Sequence, residues 1–105
     1  MKNSSKEQHK LAKFVPKLNT YQMLFIRYMS PIISLETVVS DYLNNMSIEY
    51  AKRLASKQEL PFPVMRLGEK GKATWMVNVS DLAQYIDKQV AVAQQDHEAM
   101  TRYST

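Results

Sequence analysis

The chain has 105 residues and a mass of 12.2 kDa, enough for one small domain with a tail. Its 14 Lys and Arg exceed its 10 Asp and Glu, giving a net charge of +4. The absence of cysteine excludes disulfides, cysteine-ligated zinc and a thiol nucleophile, and only two glycines argue against a phosphate-cradling loop. No apolar run approaches the ~20 residues of a membrane span. The polar N-terminus lacks a signal peptide's apolar segment, so we expect a cytoplasmic protein without membrane contact.

The basic charge is concentrated at the N-terminus. Residues 1–20 carry five lysines and one glutamate, a composition too polar to bury much surface. We therefore expect residues 1–18 to form a flexible basic arm, which either contacts phosphate or is simply solvated. Residues 19–90 are expected to form a single domain, and residues 91–105 a helical extension available for oligomerisation.

The first predicted element is a strand over Thr20–Met29, a segment rich in aromatic and branched residues, with a short helix as the alternative. Ser34 then caps a helix that continues through Leu43, with apolar residues at helical spacing. A three-residue turn separates it from a second helix, Ile48–Lys57. This order predicts two helices joined by a tight turn.

A β-hairpin and a long helix complete the predicted order. The strands Val64–Leu67 and Trp75–Val79 flank a loop that contains both glycines, where free φ angles are needed. The last helix is predicted from Ser80-Asp81 to about Met100. The predicted fold class is α+β with a winged helix-turn-helix plan: strand, helix, turn, helix, β-hairpin wing and long C-terminal helix.

The polar face of the helix Ile48–Lys57 predicts contact with double-stranded DNA. Arginine can bridge O6 and N7 of guanine, so Arg53 is the first candidate for base reading. Hydroxyls and lysines around it suit phosphate, and the lysines of the hairpin loop suit a wing. The alternative is an ordinary solvated face. The candidate DNA-binding residues are Ser47, Tyr50, Lys52, Arg53, Ser56, Lys57, Lys70 and Lys72.

The last helix carries an apolar stripe close to a heptad seam, longer than a domain of this size needs for its own core. Exposed beyond the core, the stripe predicts a homodimer or higher oligomer, or a docking surface for another protein. The alternative is a frayed end rich in alanine and glutamine. The candidate oligomerisation residues are Ile86, Val90, Ala93, His97 and Met100.

Neither a metal site nor a catalytic centre is expected. The two histidines, His9 and His97, have no partner histidine three or four residues away, and nothing pairs a nucleophile with a base. Trp75 alternates with valines along its predicted strand, which favours a core position over base stacking. We therefore expect no enzymatic activity and no cofactor.

Two segments, LPFPVMRLG at residues 60–68 and VSDLAQYID at residues 79–87, resemble the pyocin activator protein (PrtN-like) family. Upstream residues from Met23 to Tyr42 fit the same family, so the resemblance covers about residues 20–95. The second half is also similar to the wider excisionase and AlpA-like winged helices, in which an arginine is common at the position of Arg53. Gln58 departs from that pattern, which usually has glycine there, and the basic arm lies outside the resemblance.

The resemblance implies a DNA-binding transcriptional activator of phage-derived or mobile-element genes, with RNA polymerase as a further partner. The alternative implied by the wider group is an excisionase, a recombination directionality factor that works with an integrase. A further alternative, from the apolar stripe of the last helix, is a protein-interaction module.

Overall fold

A computed structural model describes residues 17–69 and 71–104. The described residues form four helices and three strands. In chain order they are α1 (Thr20–Tyr28), β1 (Ile32–Ser34), α2 (Leu35–Tyr42), α3 (Ile48–Ser56), β2 (Met65–Leu67), β3 (Thr74–Asn78) and α4 (Val79–Ser104). Most of the predicted basic arm and the hairpin residue Lys70 lie outside the described residues. The α+β class is confirmed, and the arrangement is compatible with a winged helix.

The predicted strand over Thr20–Met29 is wrong, because this segment is helix α1. A capping box starts the helix: the Asn19 side chain accepts a hydrogen bond from the Gln22 N–H, and the Gln22 side chain accepts one from the Asn19 N–H. The helix ends at Met29, which adopts the left-handed conformation. These end signals outweigh the β propensity of the residues between them, so this segment offers no sheet edge for pairing.

The hairpin is confirmed, and it pairs with a strand that was not predicted. The three strands form an antiparallel sheet in the order β1-β3-β2. The first hairpin strand starts one residue later than predicted and ends at Leu67 as predicted, and the second starts and ends one residue earlier than predicted. The new strand, β1, has only three residues, and Ile33 pairs with Val77 at its centre. A strand this short carries no detectable alternation in sequence.

The two predicted consecutive helices are present as α2 and α3. Ser34 caps α2 by accepting a hydrogen bond from the Thr37 N–H, and Ser47 caps α3 in the same way from Tyr50. The helix α3 ends at Ser56, one residue earlier than expected. Gln58 follows in the left-handed conformation at φ 55°, which lets the chain turn back towards the hairpin.

The core lies between the sheet and the helices. Val38 of α2, Val77 of β3, and Val79 and Leu82 of α4 are completely buried at its centre. Phe62, in the proline-rich segment before β2, packs edge-on against Tyr85 of α4 with ring centroids 5.5 Å apart. This contact fixes the path between α3 and the hairpin.

The last helix, α4, begins directly after β3 and extends well past the core. The Asn78 side chain accepts a hydrogen bond from the Ser80 N–H, so the helix starts two residues earlier than Asp81. The last fully packed core residue is Ala83, and residues 87–103 are exposed. None of the described helices combines the length and hydropathy that crossing a membrane requires.

Candidate nucleic-acid interface

The helix α3 has one buried and one exposed face, as its sequence predicts. Ala51 and Ala55 are fully buried, and their small side chains let the helix approach the core closely. Ile48 and Leu54 pack beside them. The opposite face is exposed and carries Lys52, Arg53, Ser56 and Lys57, together with Glu49 and Tyr50. The structure therefore brings the predicted α3 candidates together on one solvent-facing surface.

The Arg53 side chain lies over the ring of Tyr50, one helical turn earlier. The guanidinium carbon is 5.5 Å from the ring centroid, a cation–π distance. This contact limits the rotamers of Arg53 while its N–H groups, which lie in the guanidinium plane, stay available for a partner. Tyr50 thus acts on Arg53 as a positioning residue as well as offering its own hydroxyl.

Two predicted contacts, Ser47 and Ser56, have structural roles in the helix. The Ser47 hydroxyl accepts the capping hydrogen bond from Tyr50 at 3.1 Å, and the Ser56 hydroxyl donates to the Arg53 carbonyl at 2.9 Å. Ser47 still has a hydroxyl proton to donate, whereas Ser56 uses its own proton within the helix. This difference favours Ser47 over Ser56 as a phosphate donor.

Lys52 forms an ion pair that the sequence analysis did not anticipate. Its ammonium lies 3.6 Å from a carboxylate oxygen of Glu36 in α2. Both side chains are more than half exposed, so the pair contributes at most about 1 kcal/mol. A phosphate can displace a carboxylate from such a pair at little cost. Lys57, the residue that follows α3, is also exposed.

The hairpin presents Lys72 on a tight loop. Lys72 donates its backbone N–H to the Glu69 carbonyl at 2.8 Å. Gly68 has a φ of +124°, and a Cβ there would lie 3.0 Å from the Lys72 carbonyl oxygen, so the loop requires glycine. Lys72 is exposed, as the wing hypothesis expects.

Arg66 is a basic residue that the candidate set left out. It lies on β2 opposite Trp75 of β3, and its guanidinium carbon is 5.3 Å from the centroid of the indole ring. Arg66, Trp75, Lys52 and Glu36 line a groove of about 250 Å³ between the hairpin and the helices α2 and α3. The alternation of residues along β2 could have predicted which face of the sheet carries Arg66. Its contact with Trp75 could not be predicted, because that contact depends on the register between β2 and β3.

The candidate oligomerisation residues divide into two groups. Ile86 is partly buried and packs against the core. Val90, Ala93, His97 and Met100 are exposed along the distal part of α4. Within residues 17–69 and 71–104, no group of three histidine, aspartate or glutamate side chains is placed to hold a metal ion.

The fold and the exposed cations together define a small α+β protein with a basic helix beside a β-hairpin, a combination compatible with a winged helix. A protein-family model described as pyocin activator protein PrtN matches residues 20–93, which is more than half of the chain. The chain belongs to this family, which confirms the resemblance seen in the sequence. No curated protein and no solved structure matches it.

Proposed function

We propose that this protein is a sequence-specific, double-stranded-DNA-binding transcriptional activator of phage-derived or mobile-element genes. The observation that carries the proposal is the exposed basic face of α3 next to the hairpin, in a chain of the pyocin activator family. In the winged helix-turn-helix arrangement that we propose, α3 is the recognition helix and the hairpin is the wing.

Each cation has a distinct task in this arrangement. Arg53, positioned by Tyr50, reads a base edge in the major groove. Lys52 leaves Glu36 and joins Lys57 in binding phosphates beside the groove, while Ser47 donates to a phosphate at the start of the helix. Lys72, together with Lys70, holds the backbone from the wing.

Self-association is part of the proposal, because a dimer bound to two half-sites gains affinity that one small domain cannot reach. The exposed distal part of α4 supplies its surface. The activator then recruits RNA polymerase to the promoter through its remaining free surface. No step of this function involves catalysis or a cofactor.

Two alternatives make different predictions. An excisionase on the same fold would change integrase-dependent recombination in a reconstituted assay, whereas an activator would not. A protein-interaction module, favoured by the exposed distal part of α4, would bind its partner without DNA. The DNA titration described next separates the activator from the protein-interaction module. Transcription from a promoter that carries the selected site separates the activator from the excisionase.

The test is a titration of random-sequence duplex DNA at several salt concentrations, followed by selection of a preferred sequence. We expect log K to fall linearly with log salt, with a slope of about −2.7 to −4.5 if three to five phosphates are contacted. Arg53→Ala should weaken binding to the selected sequence by about 1–3 kcal/mol and relax specificity at one base pair.

Lys88→Ala is the matched control, because Lys88 is an exposed cation on α4 and is not one of the candidate DNA-binding residues. It should leave the preference for the selected sequence unchanged. Absence of DNA binding at low salt would overturn the proposal. If Arg53→Ala and Lys88→Ala change the affinity and the preference for the selected sequence equally, the assignment of α3 as the recognition helix is rejected.

A further inference from the structure

The helix α1 is apolar on the side that faces the core and on the side that faces away from it. Leu24 is buried and Tyr28 packs against the core. Five exposed apolar residues in and beside α1 make up what we call its outer face: Leu18, Tyr21, Phe25, Ile26 and Met29, each 39–74% exposed. Met23 is also exposed but lines a separate cavity with Arg27 and Ile86. A helix with apolar residues on both its inner and its outer face is normally covered on both, so this face indicates a docking surface.

The outer face of α1 is shaped as well as apolar. The rings of Tyr21 and Phe25 stack at an interplanar angle of 30°, with centroids 6.3 Å apart. Beside them lies a shallow cavity of about 330 Å³, whose lining contains Gln22 as its one polar residue. Such a surface suits a row of small and medium apolar side chains better than a charged ligand.

A second surface without a partner within the described residues lies on the distal part of α4. Val90, Ala93, His97 and Met100 recur every three or four residues, and we call them the distal stripe. The stripe spans eleven residues, or about 15 Å of helix from first to last, close to the length of the outer face of α1. A lone helical extension of this kind gains little stability from propensity and relies on packing.

These two surfaces cannot meet within one chain. Thr20 at the start of α1 donates a hydrogen bond to Asp87 of α4, so the inner face of α1 already lies against that helix. The outer face of α1 points away from it, and α4 is one continuous helix of 26 residues. Contact between the distal stripe and the outer face of α1 therefore requires two copies.

The charges around the two surfaces are complementary. Residues 17–29 contain Lys17 and Arg27 and no acidic residue. Because Arg27 is paired with Asp41 of α2 at 3.2 Å, Lys17 gives this segment its net positive charge. Residues 90–100 contain Asp96 and Glu98 and no lysine or arginine. Opposite net charges favour association of the two surfaces, whereas two distal stripes brought together would place acidic residues near one another.

We propose that the distal stripe of α4 in one copy packs on the outer face of α1 in a second copy. This inference rests on the proposed self-association and names its two surfaces, in place of a symmetric pairing of α4 with α4. When the distal stripe of each copy packs on the outer face of α1 in the other copy, the two copies form a closed dimer with two-fold symmetry.

The absence of native cysteine allows this contact to be mapped with single-cysteine variants of the full chain. Ile26→Cys, on the outer face of α1, is mixed with Ala93→Cys, in the distal stripe, and a short bis-maleimide is added without DNA. We expect a cross-linked pair from the mixture and little from either variant alone. Gln95→Cys, on the opposite side of α4, replaces Ala93→Cys as the control and should lose the cross-link.

Each outcome decides the proposal. If Ala93→Cys is cross-linked to a second copy of Ala93→Cys in preference to Ile26→Cys, the proposed contact between α4 and α1 is wrong and the copies meet through α4 and α4. The proposed self-association would then still stand. A monomeric mass of the unmodified chain would overturn both the contact and the self-association, but not DNA binding, which is measured separately. Unchanged thermal unfolding of the variants would show that they are folded.

Discussion

The basic side chains of the candidate interface are held in place by neighbours within the protein. Arg53 lies over Tyr50, Arg66 lies over Trp75, and Lys52 is paired with Glu36. Each contact reduces the number of rotamers that must be frozen when a ligand binds, and so reduces the entropy cost of binding. Arg53 keeps its guanidinium donors available and Arg66 donates one of its five N–H groups to the Ala73 carbonyl at 3.5 Å, whereas Lys52 must exchange a carboxylate for a phosphate. We infer that Arg53 and Arg66 bind a ligand at a lower free-energy cost than Lys52 does.

Gln58 carries backbone strain that glycine would remove. Its φ of 55° is in the left-handed region, which costs a residue with a side chain about 1–2 kcal/mol, while glycine adds about 0.5–1 kcal/mol of entropy to the unfolded chain. We therefore expect Gln58→Gly to stabilise the fold by up to about 1.5 kcal/mol. The measurement is the free energy of unfolding from urea titration.

Glu59→Gly is the control for this substitution. Glu59 is also exposed, but its φ is not positive, so glycine there brings only the entropy cost. It should destabilise the fold by about 0.5–1 kcal/mol. A loss of stability in Gln58→Gly equal to that in Glu59→Gly would show that the left-handed conformation of Gln58 is not strained.

At the scale of elements, sequence patterns identified α2, α3, the hairpin and α4, because each has an end signal of its own. Ser34 and Ser47 are N-caps, and the two glycines lie in the hairpin loop. The strand prediction at α1 was wrong because it relied on the aromatic and branched residues of the segment. The capping residues Asn19 and Gln22, which indicate the start of a helix, were not taken into account. A capping box is a stronger signal than composition over nine residues.

The candidate site was predictable only as far as single elements determine it. The exposed face of α3 follows from helical periodicity, and so Lys52, Arg53 and Lys57 were identified. Arg66 and the ion pair of Lys52 with Glu36 were not, because they depend on strand register and on how α2 packs against α3. Contacts between elements carry no local signature in the sequence.

The junction of α1 with α2 is sensitive to high pH through Tyr28. Burial raises the pKa of Tyr28, and the hydrogen bond from its hydroxyl to Asp41 raises it further. The unfolded chain has the ordinary tyrosine pKa of about 10, so this contribution to stability is complete below that pH. It is lost as the pH rises above about 10, because the unfolded state then releases a proton that the folded state retains.

We therefore expect the Tm of the protein to fall between about pH 9 and pH 11 more steeply than that of Tyr28→Phe. The variant itself should be less stable at neutral pH by about 1 kcal/mol, because it lacks the hydrogen bond. Tyr103→Phe, which changes a 90% exposed tyrosine, should retain the steep fall. Parallel curves for the protein and Tyr28→Phe would contradict the role of Tyr28.

At the scale of the whole molecule, the chain divides into a packed body and a helical extension. Among residues 17–69 and 71–104, the fifteen buried apolar residues end at Ala83, and Ile86 adds the last partial contact with the core. The extension beyond them contributes nothing to the core of its own copy. The body therefore contains the candidate interface, and the extension carries the surface through which we propose that two bodies join.

Truncation after Gln89 separates these two parts. Because the core is complete before that residue, the shortened chain should remain folded, with its unfolding midpoint in urea independent of protein concentration. Its mass by light scattering should fall to that of a monomer. Its affinity for a duplex with two adjacent selected sites should fall by about 10²–10⁴-fold, to that for a duplex with one site, because the linkage between two bodies is lost. If the truncated chain keeps the oligomeric state of the full chain, the body, and not the extension, holds the copies together.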